Sequence, residues 1–150
     1  MGKSLLEKAT AEKLIARVKS LHATNKAKWG VMNATEMLLH VNLCNNQILH
    51  GDLEYRKSTL KQKMLRVVAL YIAPNFPKNL QTEPRNDTEG IISDDEFETQ
   101  KRRLIKTIAK FAERKKPIEL THPAFGNLNT RQWGIAAFKH TDHHLRQFGV

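Results

Sequence analysis

One cysteine, Cys44, is all that the chain offers for thiol chemistry, so neither an intrachain disulfide nor a two-thiol redox pair can form within it. Packing must therefore hold the fold, and a reducing compartment suits such a composition. Long apolar runs are missing as well. The longest, Val67 to Ala73, falls far short of the ~20 residues that a membrane-spanning helix needs. Met1 to Thr10 lacks the continuous apolar segment and small-residue cleavage site of a secretory signal, and Leu6 stands where N-myristoylation requires Ser or Thr. A soluble, cytoplasmic protein with no membrane partner is expected. Aromatic residues make up only 7% of the chain, too few for an evident platform on which bases could stack. Glycine-rich phosphate loops and a His-Glu-x-x-His zinc segment are absent, and no predicted helix carries the Glu-x-x-His pair of di-iron bundles, since Glu36 precedes His40 by four residues rather than three.

Acidic residues are also in short supply. Fifteen Asp and Glu face twenty-five Lys and Arg, which leaves a formal charge of +10. Such a charge attracts nucleic acid, acidic membrane surfaces or anionic small molecules. It is unevenly placed: Arg56, Lys57, Lys61, Lys63 and Arg66 form one basic segment, and residues 101–116 carry eight basic side chains against the lone Glu113. The simplest reading is a set of solvated helix faces, and no sequence-specific nucleic-acid partner is expected.

At 150 residues the chain fits one domain, 1–150, of a size that buries roughly 70% of its unfolded surface. Apolar residues recur at helical spacing from Leu5 to about Thr24, with Ala11, Leu14, Ile15, Val18 and Leu21 on one side. A second helix is predicted to start at Asn33, with Glu36 completing a capping box, and to run to about His50 before Gly51. Its stripe is Met37, Val41, Cys44 and Ile48. A shorter helix is expected over Ser58–Ile72, ended by Pro74 and followed by a long surface connection with Pro77, Pro84, Asn86 and Gly90. Ser93 and Glu96 are expected to open a helix that continues through Phe97, Leu104, Ile108 and Phe111 toward Pro117. After a loop at His122–Gly126, the last helix starts near Asn129 or Thr130, with Gln132 as the reciprocal cap. No alternating strand pattern is visible. The predicted architecture is all-α: a four-helix bundle with one short accessory helix.

Chemistry concentrates in the last helix, where His140, His143 and His144 fall within five residues. His140 and His144 lie about 40° apart around a helix axis and about 6 Å along it, so both imidazoles can reach one ion. Trp133, Ala137 and Phe148 share their side of the wheel, whereas Lys139, Asp142 and Arg146 take the other. The pair therefore points inward, with Trp133 as a site-lining residue and His143 at the margin between the faces. Two histidines satisfied by hydrogen bonds would give the same pattern. A third ligand must come from another helix. His40, with Cys44 one turn later, and His22 on the inner side of the first helix both qualify; His50 points away and His122 belongs to a loop. Cys44 on an apolar stripe is ordinarily inert core, and a sulfur ligand is its most credible special role.

Three segments together carry a resemblance: Trp29–His40, His122-Pro123-Ala124-Phe125-Gly126, and Lys139–Gly149 with its His140-Thr141-Asp142-His143-His144 core. The chain resembles the DinB-like superfamily of metal-binding helical bundles. That resemblance implies a four-helix bundle, commonly a homodimer, with nickel or zinc held by one histidine of the second helix and a His-x-x-x-His pair of the last. The matching positions here are His40, His140 and His144. It also implies use of a low-molecular-weight thiol, as in the thiol-dependent transferases and isomerases of that superfamily.

The expected function is thus a metal-dependent enzyme acting on a small-molecule substrate, in the first instance a thiol-dependent transferase, with a metal-dependent hydrolase as the alternative. His143 and Glu36 are weak candidates for a general base. A basic binding protein with a structural metal is the reading from a different class.

Overall fold

In the computed structural model, which describes residues 2–150, the chain is mostly helical. Its elements are α1 Lys8–Ser20, α2 Ala34–His50, α3 Leu60–Val67, α4 Phe97–Glu113 and α5 Thr130–Gln147, with a small antiparallel hairpin, β1 Leu120–His122 and β2 Gly126–Leu128, before the last helix. The hairpin corrects the expectation of a chain without strands. Each strand is three residues long, too short for a period of two to register in the sequence.

Two helix starts follow the capping chemistry read from the sequence. Asn33 accepts from the Glu36 N–H while Glu36 accepts from the Asn33 N–H, and Asn129 and Gln132 repeat the arrangement at the start of α5. Ser93 does not cap: a 3-10 turn at Asp94–Glu96 leads directly into α4. The apolar stripe of the first helix outlasts its backbone. Leu5 and Leu21 are fully buried, yet α1 itself spans only Lys8–Ser20 between them.

Both α1 and α2 pack along α4, and α5 packs against α2 and α1. Between them lie Leu14, Val18, Met37, Val41, Leu104 and Phe111, each essentially without solvent exposure. Asp142 of α5 receives Arg17 from α1 at 2.6 Å and Arg146 at 2.9 Å, and Arg17 also donates to the Val150 carbonyl, so the polar side of α5 is fastened to α1 rather than left in water. Lys139 is likewise engaged: its ammonium donates to the carbonyl of Ala69, in a π-helical turn, Val68–Ile72, that continues α3, and to that of Ala73, which caps the turn. Among the described residues no helix is long and apolar enough to cross a membrane.

Gly134 marks where the N-terminal segment crosses α5. The Leu5 N–H donates to the Gly134 carbonyl at 3.1 Å, and a Cβ at Gly134 would run into Ser4 Oγ and the Leu6 side chain. In an open helix Gly→Ala stabilises by up to about 1 kcal/mol. Here overpacking is expected to reverse the sign and cost about 1–3 kcal/mol, lowering the melting temperature of Gly134→Ala by several degrees. A melting temperature that rises instead would show that the N-terminal segment does not press on α5.

Candidate metal centre

The capping box at Asn33 fixes the start of α2, which places His40 and Cys44 one turn apart on the same face. The second box at Asn129 does the same for α5 and for His140 and His144. Where the two helices face each other, the three imidazoles form a triangle. Ring centroids are 5.0 Å apart for His40 and His140, 4.7 Å for His40 and His144, and 4.7 Å for His140 and His144. His40 Nε2 lies 3.1 Å from His140 Nε2 and 4.0 Å from Cys44 Sγ, and the ligand atoms of His40, Cys44 and His140 all lie within 4.8 Å of one another. Two nitrogens bound to one tetrahedral zinc stand about 3.3 Å apart. The spacing of His40, Cys44 and His140 fits one ion, whereas His144, whose ring packs edge-on against both imidazoles, is not among the residues whose ligand atoms cluster that closely.

Outer hydrogen bonds decide which ring nitrogens are free. His40 Nδ1 donates to the Asn86 carbonyl at 2.8 Å, so in the neutral ring its Nε2 is a bare lone pair. His144 Nδ1 donates to Gln147 Oε1 at 2.8 Å, and Gln147 is itself held by donating to the Trp29 carbonyl at 2.7 Å. Asn86 is fixed in turn by an amide pair with Gln47. Imidazoles that ligate metals are oriented in this way, by a partner on the other nitrogen. The connection before α4, expected to run over the surface, instead presses Asn86 and Thr88 into the interior beside α2.

Burial sets the protonation state. It pushes His40 below the ordinary imidazole value, and it pushes His144 down to about 3, with His40 adding to the effect. His140 is held well below its ordinary value by burial first and then by His144, His40, His143 and His122. All three rings are neutral at pH 7, which is the form that ligates. Burial pushes the Cys44 thiol the other way, up to about 12, with Glu83 adding to it. Without a cation beside it, Cys44 stays protonated and is no nucleophile.

The remaining residues fall into two groups. Cys44, expected to line the site, contributes one of its clustered donor atoms. His143 is buried rather than marginal: its ring packs edge-on against His144 and Trp29, and its Nδ1 has no hydrogen-bond partner among the described residues. Glu36 has both carboxylate oxygens engaged, one by Asn33 N–H and the other by Gly90 N–H, so it serves as a cap and a loop clamp. Trp133 belongs to the hairpin, with its ring against His122 and its indole N–H donating to the Leu120 carbonyl. His22 does not lie on the inner side of α1; it is exposed in the turn that follows the helix, so helical phase could not predict its direction.

Sequence reasoning missed His122. Placed at the end of β1, it stacks on Phe125 with centroids 4.2 Å apart, and its Nδ1 accepts from the Ala124 and Phe125 N–H groups. Its proton therefore sits on Nε2. It lies near enough to His140 to depress that ring's pKa. The sequence signal was the compact His122–Gly126 segment, which a loop assignment concealed.

Comparison with known proteins shows that the chain belongs to the family described as protein of unknown function (DUF1569), which matches residues 3–149. No curated protein and no solved structure matches it.

Proposed function

We propose that this family member is a metal-dependent enzyme in which His40, His140 and His144 hold one divalent ion, zinc or nickel, inside a four-helix bundle to which α3 is accessory. The observation that carries the reading is the bare Nε2 of His40, its Nδ1 already spent on Asn86, facing His140 Nε2 at 3.1 Å. Without an ion, a proton on His140 Nε2 closes that gap as a hydrogen bond; an ion takes the proton's place.

When bound, a divalent ion supplies positive charge that three neutral ligands leave undiminished and that acidifies a thiol or a water brought to it. The chain's own residues orient the ligands through Asn86 and Gln147 and keep the imidazoles neutral by burial. The resemblance to DinB-like proteins points to a cytoplasmic, homodimeric transferase that uses a low-molecular-weight thiol on a small-molecule electrophile; a hydrolase is the alternative.

A closed structural site is the second reading, and Cys44 favours it, because its Sγ stands 4.0 Å from His40 Nε2. Proton release separates the two. The imidazoles are already neutral at pH 7, so ligation by nitrogen alone releases no proton, whereas ligation by a thiol raised to about 12 releases about one per ion. Calorimetric zinc titrations in buffers of different ionisation enthalpy measure this. The enzyme reading expects a cobalt spectrum that changes when a small thiol or azide is added, and no release that Cys44→Ser abolishes. A cobalt spectrum indifferent to every such ligand, with proton release that disappears in Cys44→Ser, overturns it.

The outer hydrogen bonds have their own expected effect. Gln147→Leu removes the acceptor for His144 Nδ1 and is expected to weaken zinc binding by about 10–100-fold, while Gln147→Glu, which keeps that acceptor but loses the donation to the Trp29 carbonyl, restores part of it. Equal affinities for the two variants would remove Gln147 from the site.

A further inference from the structure

The helix α3 is built inside out. Its attachment to the body is polar: Gln62 donates to the Pro123 carbonyl, Arg66 to the Asn127 carbonyl, and Ser58 Oγ, just before the helix, accepts from the Asn127 N–H. No residue of α3 is buried. Its apolar side chains point outward and continue through the π-helical turn as Leu60, Met64, Val67, Val68, Tyr71 and Ile72, with Leu60 75%, Met64 64% and Ile72 69% exposed. Together they leave on the order of 600 Å² of contiguous apolar surface, the upper end of what a soluble monomer exposes. On the helical wheel of α3 Leu60, Met64 and Val67 fall within one narrow sector, and Lys61 and Lys63, both exposed, flank it on either side.

The charge around this stripe selects its occupant. Residues 55–82 contain six Lys and Arg and no Asp or Glu. A second copy meeting the stripe about a two-fold axis would bring lysine-rimmed edges together with no acid from this segment to pair with them. Nucleic acid offers phosphates for the lysines but nothing for Leu60, Met64 or Ile72. An anionic bilayer satisfies both: its interface accepts an apolar face lying in the plane, and its headgroups attract the flanking lysines. Tyr71 suits the same boundary, where amphipathic rings concentrate.

We propose that the outward face of α3 and its π-helical extension is a docking surface for an anionic lipid bilayer, on which the protein sits as a peripheral, reversible visitor. This departs from the expectation of no membrane partner and is independent of the metal site, since it needs none of the histidines. A single short helix with a handful of basic residues gives weak, salt-sensitive attachment.

The test is flotation of the full chain with vesicles of phosphatidylcholine alone or with about a third phosphatidylglycerol. Binding to the anionic vesicles is expected, little to the neutral ones, with a fall of about tenfold or more for Lys61→Glu/Lys63→Glu. Met64→Glu and, separately, Leu60→Glu are expected to cause a comparable loss; both sites are exposed, so the melting temperature serves as the check on folding. Three results would overturn the proposal. One is no binding to anionic vesicles. Another is binding that both apolar variants retain, which is adsorption by charge alone. The third is a dimer in light scattering that Met64→Glu and Leu60→Glu dissociate, which gives the face to a second copy.

Discussion

Alanine at His140 or His144 is expected to abolish stoichiometric metal binding, and alanine at His40 to remove most of it, from about one ion per chain to a small fraction. In the proposed assignment each residue supplies a nitrogen, and the three ring centroids are no more than 5.0 Å apart. Loss of a direct ligand should exceed the 10–100-fold that follows from loss of an orienting partner. Metal analysis of protein purified without a histidine tag gives the stoichiometry. The melting temperature gives a second reading, because an ion at a hundred times its dissociation constant stabilises the native state by about 2.7 kcal/mol, roughly 5–10 °C in a chain of this size. The three variants should lose that increment. His22→Ala should keep it, since His22 is exposed in a turn outside α1. His143→Ala should also bind, within about tenfold of the native protein. A chain that loses its ion on His22→Ala but not on His40→Ala would refute the assignment.

Much of this site was readable because its elements are long and announce themselves. The spacing of His140 and His144 brings two rings to one face of any helix, and the boxes at Asn33 and Asn129 fix where the helices begin. What the sequence could not convey is contact between segments far apart. Asn86 sits in a stretch rich in proline and polar residues that reads as surface, yet its carbonyl receives His40 and its side chain pairs with Gln47. His22 fails for a related reason. The apolar period continues to a buried Leu21, but the backbone leaves the helix at Ser20, and a residue beyond a helix end keeps its burial pattern without its angular phase. Trp133 shared a wheel sector with the histidines, but two turns of α5 carry it to the hairpin, because a wheel records angle and discards height. For α3 the sequence announced a short helix but not the direction of its apolar side chains: amphipathicity identifies an apolar face without saying which way the face turns, and here it turns outward.

The metal-free protein, held with a chelator, is expected to lose stability steeply as pH falls below about 6 and to unfold between about pH 5 and 4. Burial lowers His144 to about 3 and His122 to about 4, and it lowers His40 and His140 in the same direction. In the unfolded chain these rings return to about 6.5. Between the two values the unfolded state binds protons that the native state refuses, so unfolding becomes easier as pH falls. Above about 6.5 neither state is protonated and the effect vanishes. His144, 8% exposed, contributes on its own about 2 kcal/mol of loss by pH 5. The other rings add to it, although less than independently, since protonating one cation-free neighbour changes the next. Against a total stability of about 5–15 kcal/mol, that is enough to carry the transition. Chemical denaturation at stepped pH gives the slope directly. His144→Gln should flatten the curve and move the acid midpoint lower, provided its stability at pH 7 is taken as its own reference. Adding zinc to the native protein should also lower the midpoint, because an ion on the ring nitrogens holds the neutral form. A stability that stays level from pH 7 to 4 would mean that the imidazoles titrate in contact with water, and the buried, neutral ligand set would be wrong.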